Sequence, residues 1–187
     1  MPSSRAAWAV ALGVLLAPAP ASGEVVERIV AVVDGRPLLL SELKVMQQVR
    51  GDSLEDAREA LVDEWLMFKE AGRLPQLGPT AEEETAAAAS VRLRAPAAVA
   101  PTPEDLRRVA RRQATILKYV AFRFRPQARV EEAAVRAAYT AAHPSGEPSF
   151  EAVAPELRTR LLEQDLDRRI EEWVKELRQA AVVRYNP

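Results

Sequence analysis

The 187 residues suffice for one domain with a buried core, and a hydrophobic content of 48% fits a folded chain rather than a disordered one. Lysine plus arginine (26) nearly balances aspartate plus glutamate (27), and the formal net charge of −1 excludes wholesale binding to a polyanion, though not a local basic patch. With no cysteine there is no disulfide, thiolate metal site, lipobox or cysteine nucleophile, and a single histidine, His143, removes the usual imidazole pairs of acid–base and metal chemistry.

Residues 1–23 read as a secretory leader. Arg5 stands near the start, an apolar run extends from Ala6 to Ala17, and small residues suit cleavage after Ala21 or Gly23. The run is about a dozen residues, short of the ~20 needed to span a bilayer. An uncleaved anchor or an N-terminal core helix is the alternative. Cleavage would leave residues 24–187 as a single domain outside the cytoplasm.

Residues 25–33 are dense in β-branched side chains and predict a strand that is apolar on both faces. Asp34-Gly35 supplies a turn that needs positive φ, and residues 36–40 return as a second strand. Pro37 cannot donate to a ladder, so that strand belongs at a sheet edge. A lone hairpin is marginal in water. The only other convincing strand, residues 182–185, stands at the far end, so the two ends are expected to meet with the first strand in the middle.

Everything between reads as helix. Ser41 can cap a short helix over 41–50, which Gly51-Asp52 breaks. Residues 53–71 form an amphipathic helix with Leu54, Ala57, Leu61, Trp65 and Phe68 on one arc. Leu66 and Met67 fall off that arc, either because this end is buried between several elements or because it forms an adaptable contact surface. Thr80 to Glu83 is a capping box opening an alanine-rich helix over 80–94, peripheral or closely packed because its apolar residues are small. Residues 95–101 are a proline–alanine connector.

Thr102-Pro103-Glu104-Asp105 starts a helix over 103–124, with Leu106, Val109, Ala110, Gln113, Ile116, Leu117, Val120, Ala121 and Phe124 as its core arc. The opposite side carries Arg107, Arg108, Arg111, Arg112, Lys118, Arg123 and Arg125, with Tyr119 and Phe122 among them. This face has three readings: a nucleic-acid face, a solvated surface whose rings a neighbouring helix covers, or a partner-binding face. The near-zero net charge and the leader argue against nucleic acid. Another alanine-rich helix covers 129–142, with His143 at its C-terminal end. Pro155 opens the last and longest helix, over 155–180, whose buried side is marked by Leu157, Leu161, Leu166, Ile170, Trp173 and Leu177. The expected fold is therefore mainly α, with a small antiparallel sheet closing around a helical body.

The opening Ile29 to Val33, Asp34-Gly35, Leu38 to Leu40 and Ser41-Glu42, together with the closing Ile170, Trp173, Leu177 and Val182 to Tyr185, resembles the chaperone module of SurA-type periplasmic proteins in the parvulin prolyl isomerase group. The resemblance covers both ends well and the middle by helix order. It implies a chaperone that binds unfolded secreted or outer-membrane polypeptides in the periplasm. Family members with isomerase activity insert parvulin domains before the last helix. Here about a dozen residues, from His143 to Pro155, occupy that interval, well below the ~40 under which a domain seldom folds unaided. The parvulin histidines cannot be supplied either, so no prolyl isomerase activity is expected.

The leading expectation is a non-catalytic holdase for extended, apolar-aromatic segments, with Leu66, Met67, Tyr119 and Phe122 as client-binding candidates because each lies off its helix's main arc. Ordinary packing against a neighbouring helix is the competing account of each. The alternative function is a dedicated assembly or scaffolding factor holding one partner. No enzyme activity, cofactor, metal, nucleic acid or stable membrane insertion after leader removal is expected. Runs such as Glu82-Glu83-Glu84 put their carboxylates on different faces of a helix, where they do not face one another.

Overall fold

A computed structural model describes residues 27–94 and 102–186 of the chain. The leader assigned to residues 1–23 lies outside the described residues, as does the connector at 95–101. The hairpin β1 (Ile29–Val33) and β2 (Arg36–Leu39) opens the described chain. The helices α1 (Leu40–Arg50), α2 (Leu54–Ala71), α3 (Ala81–Arg94), α4 (Pro103–Arg123), α5 (Glu132–Ala142) and α6 (Phe150–Ala180) follow, and β3 (Val183–Tyr185) closes it.

The sheet is antiparallel with the order β2-β1-β3, so the two ends of the described chain do meet and β1 is the central strand. Asp34 and Gly35 both adopt positive φ (50° and 83°), the backbone that lets a two-residue turn match the twist of its strands. Pro37 sits in the edge strand, as its missing donor requires. Residues 27 and 28 of the expected strand are not in β1, and residues 25 and 26 lie outside the described residues. Within β1 the pairing with β2 slips between Ile29 and Ala31, leaving Val30 as an extra residue. The bulge turns Ile29 toward solvent while Val30, Ala31 and Val33 are buried.

Ser41 does not cap α1. β2 runs into the helix without a loop, and the Glu42 carboxylate reaches back to accept the Leu39 N–H at 3.1 Å. The Ser41 N–H instead binds the Glu27 carboxylate at 3.1 Å, tying the approach to β1 onto the start of α1. Gly51, at φ 73°, ends α1 by bonding its N–H to the Gln47 carbonyl. The expected caps form at α2, where Ser53 Oγ accepts the Asp56 N–H, and at α4, where Thr102 Oγ1 accepts the Asp105 N–H. The Thr80–Glu83 box also closes in both directions, at 2.7 and 3.2 Å.

α6 starts five residues earlier than Pro155 suggests, after Ser149. Proline lacks only its own N–H, so the first turn can form ahead of it at the loss of the bond to the Glu151 carbonyl.

Four apolar clusters hold these elements. The sheet packs on α1 and α2 through Val30, Ala31, Val33, Leu38, Leu43, Met46, Leu61, Val62 and Leu66, and the chain end joins through Leu177, Ala181 and Val183. Val45 and Val49 of α1 meet Val91 of α3 and Leu106 and Val109 of α4. Ala71, Ile116, Tyr119, Val120 and Phe124 surround Trp173 where α2, α4 and α6 converge. The fourth cluster joins α5 to the first half of α6 through Val135, Ala154 and Leu157.

Ion pairs tie the same elements. Arg178 of α6 bridges Glu59 (2.8 Å) and Asp63 of α2, and the Tyr185 hydroxyl donates to Glu59 at 2.8 Å. Burial pushes the Glu59 carboxyl up, but these hydrogen bonds outweigh it and hold the group below its ordinary range.

Candidate functional site

The broad core arc expected of α4 divides in two. Through Ala110 it is buried as the spacing requires. Beyond Gln113 the buried side turns toward Ile116, Tyr119, Val120 and Phe124, the residues gathered around Trp173. This turn leaves Leu117, 65% exposed, and Ala121 facing outward beside α3.

α3 does not cover them, and the cause is its composition. Ala86, Ala87 and Ser90 face α4, and one methyl or hydroxymethyl group has no reach over a leucine. The result is an open apolar groove of about 390 Å³ along the α3–α4 seam, floored by Ala86, Ala87, Ala114, Leu117 and Ala121. That volume falls within the ~300–1,000 Å³ of ordinary ligand sites.

Polar pairs close the two ends of the groove. At one end Lys118 donates to Glu83 at 2.9 Å and to the Gly78 carbonyl at 3.2 Å. The Thr80 backbone N–H, then Lys118, hold the Glu83 carboxyl below its usual range. At the other end Arg94 donates to Gln113 at 2.8 Å. Along α3 the two pairs start from Glu83 and Arg94, but the Arg94 guanidinium folds back to the Ser90 carbonyl, and on α4 the pairs stand five residues apart, about 7.5 Å at 1.5 Å per residue. An extended peptide of about two or three residues spans that length. Phe122, 59% exposed, lies one turn beyond Lys118, and Leu93, 87% exposed, lies on the outer side of α3.

Of the four client-binding candidates, only Phe122 presents its side chain to solvent. Leu66 is 3% exposed and belongs to the core beneath the sheet. Tyr119 is 6% exposed and stacks on Trp173 with ring centroids 5.2 Å apart. Met67 is half-buried against the cluster around Trp173. The off-arc position of Leu66 and Tyr119 therefore reflects burial on a second side, by the sheet and by α6 respectively, and not a free surface.

Arg112, assigned by spacing to the basic face, is buried as well. Its Nε donates to Glu64, and Nη1 lies 3.9 Å from the Glu42 carboxylate. Glu42 also accepts from Arg36 at 3.3 Å. The basic face is thus neutralised in part from within: Arg108 pairs with Asp105, Arg111 with Glu84 and Lys118 with Glu83.

Comparison of the chain with protein-family models, with curated proteins and with solved structures finds no match.

Leu117 is among the residues that spacing assigned wrongly, because it fell inside the expected core arc of α4. The available signal was the alanine content of α3: a helix without large side chains cannot bury a leucine on its neighbour. A second cleft, about 340 Å³, lies between α2 and α6 over Trp173 and Leu177, and Asp34, Lys69, Glu70, Arg73, Arg123 and Glu176 rim it. Lys69 pairs there with Asp34 at 2.7 Å and Arg73 with Glu70 at 3.0 Å, so most of its charge is already satisfied. Among the described residues no group of three or more histidine, aspartate or glutamate side chains is arranged to hold a metal ion, and no helix is long and apolar enough to cross a membrane.

Proposed function

We propose that this protein is a non-catalytic chaperone that holds extended, apolar segments of unfolded secreted or outer-membrane polypeptides in the periplasm. The observation that carries the reading is the α3–α4 groove: an open apolar floor with polar pairs at both ends, long enough for about two or three residues of extended chain. The resemblance of the two chain ends to SurA-type proteins supports the same reading, and the leader-like residues 1–23 support the location.

The mechanism is mass action. A groove that binds the unfolded client lowers the free concentration available to aggregate, without altering any covalent bond or proline isomer. Release requires modest affinity, and a shallow floor of alanine and one leucine provides modest apolar area. Phe122 adds an exposed ring on α4 one turn beyond Lys118, outside the groove's own lining. The short span between α5 and α6, residues 143–149, supports a chaperone without an inserted catalytic domain.

The test is suppression of light scattering when a urea-unfolded porin is diluted into buffer. Replacing Leu117 and Phe122 together by aspartate is expected to raise the protein concentration needed for half-suppression about tenfold, equivalent to ~1.4 kcal/mol. Both side chains are exposed, so the thermal midpoint should hold. Absence of suppression by the unsubstituted protein, or equal suppression by the doubly substituted one, would overturn the reading. Recovery of one folded, stoichiometric partner from the periplasm would replace it with an assembly factor.

A further inference from the structure

The geometry points to a second polypeptide-binding element: the outer edge of β3, which would accept an extended segment as a fourth strand. Backbone accounting locates it. The Asp34 N–H donates to the Val182 carbonyl at 2.9 Å, and the Asn186 N–H to the Val30 carbonyl at 3.1 Å. With Val33 opposite Val183, Val32 opposite Arg184 and Ala31 opposite Tyr185, antiparallel alternation directs the backbone groups of residues 182, 184 and 186 toward β1. Val183 and Tyr185 turn theirs outward, and β3 is the end strand of the sheet, with no further strand beside it among the described residues.

The two sheet edges are not equivalent. On β2 the same alternation puts Pro37, opposite Val32, at an outward-facing position, where the ring removes the donor an incoming strand needs. Within β3 itself, Val183 to Tyr185, there is no proline. One edge is closed to strand addition, and the other is open among the described residues.

The side chains select the occupant. Arg184 is exposed and makes no ion pair among the described residues, and Val182, two positions earlier on the same face, is 59% exposed. An antiparallel segment reading acidic–any–apolar puts its carboxylate opposite Arg184 and its apolar side chain opposite Val182. A second copy of the chain fits poorly. The two-fold pairing that uses all four outward groups sets the two Arg184 side chains directly opposite, a like-charge contact. Three residues per strand also bury far less than the ~1,000 Å² of a stable dimer.

This site does not depend on the α3–α4 groove, and the Leu117/Phe122 aspartate variant should bind at β3 unchanged. The probe is a synthetic heptapeptide, Thr-Thr-Glu-Thr-Val-Thr-Thr, at millimolar concentration. Amide hydrogen exchange of the full chain is followed by NMR. The Val183 and Tyr185 amides are expected to exchange at least tenfold more slowly with the peptide present, whereas those of Arg184 and Asn186 are protected throughout. Val183→Pro, which removes an outward donor and leaves the β1 ladder intact, should abolish the effect. A peptide N-methylated at the threonine between glutamate and valine should fail to protect, and one with lysine for glutamate should protect at least tenfold less. Equal protection by either altered peptide would overturn the proposal. So would protection of Val183 and Tyr185 before any peptide is added, which would assign the edge to a second copy or to another part of the chain.

Discussion

Arg112 donates from Nε to Glu64 and lies 3.9 Å from Glu42 where α1, α2 and α4 meet, with all three side chains largely closed to water. Removing one member of such a set strands charge in a poorly solvated place, so Arg112→Met should destabilise the fold by about 3–5 kcal/mol in urea titration. Replacing Arg112 and Glu64 together by methionine should recover most of that loss, since Glu42 keeps Arg36 and the Leu39 N–H. A double variant no more stable than the single one would contradict this account. Asp34 acts about a turn further along α2, at Lys69. It joins the turn to Lys69 (2.7 Å) and to the Val182 N–H (2.8 Å), and these bonds, Lys69 first, hold its carboxyl below the ordinary range. Such a group binds its proton less readily folded than unfolded. Its contribution is therefore full above the unfolded-state pKa and disappears as pH falls through the folded one. Glu59, likewise lowered, acts in the same direction. The thermal midpoint should fall from about pH 5 downward, and Asp34→Asn, which also tolerates the turn's positive φ, should flatten that dependence. An unchanged slope in the variant would remove Asp34 from the explanation. At this scale legibility is uneven. Asp34, Gly35 and Pro37 could be placed because their constraints are local to the backbone. Leu66, Tyr119 and Arg112 could not, because one helix's periodicity does not say how many neighbours it has.

At the scale of elements, local chemistry decided most boundaries. Ser53, Thr80 and Thr102 each supply an oxygen to the first turn, so α2, α3 and α4 begin where the sequence marks them. α1 and α6 depart from that pattern. α1 starts on Glu42 reaching backward rather than on Ser41 reaching forward, and α6 accepts a proline past its first turn. Pro155 leaves the Glu151 carbonyl without its helical donor, and Val153, Ala154 and Leu157 around it still pack against α5. Pro155→Ala should restore that bond and raise the midpoint of thermal unfolding, with a gain of about 1–3 kcal/mol. A neutral or lowered midpoint would mean that the proline's fixed φ contributes more than the missing hydrogen bond removes. α3 makes the functional case: the same small side chains that let it lie close to α4 leave Leu117 uncovered. The groove is thus a consequence of composition, readable only once the two helices are known to be neighbours.

At the scale of the molecule, the termini-closing sheet could be inferred because only three stretches have strand composition and a hairpin needs a third partner. The division of the helical body into a main part and an arm could not, since nothing in the spacing of α6 says that its two halves have different neighbours. Val135, Ala154 and Leu157 form a cluster drawn from α5 and the first half of α6 alone, whereas Leu166, Ile170, Trp173 and Leu177 pack with α2 and α4. Between them α6 runs as one helix with exposed Glu163, Gln164, Asp167 and Arg168. A unit held by its own small core is expected to open without the rest. Val135, completely buried, tests this. Val135→Ala removes two methyl groups and leaves a cavity, a loss of about 2 kcal/mol. In native-state hydrogen exchange that loss should appear in full at the amides of α5 and residues 154–161. The amides of Ala31 and Leu61, in the core beneath the sheet, should keep their protection. If they weaken by the same amount, the arm and the body unfold as one, and the arm has no independent freedom with which to adjust to a bound chain.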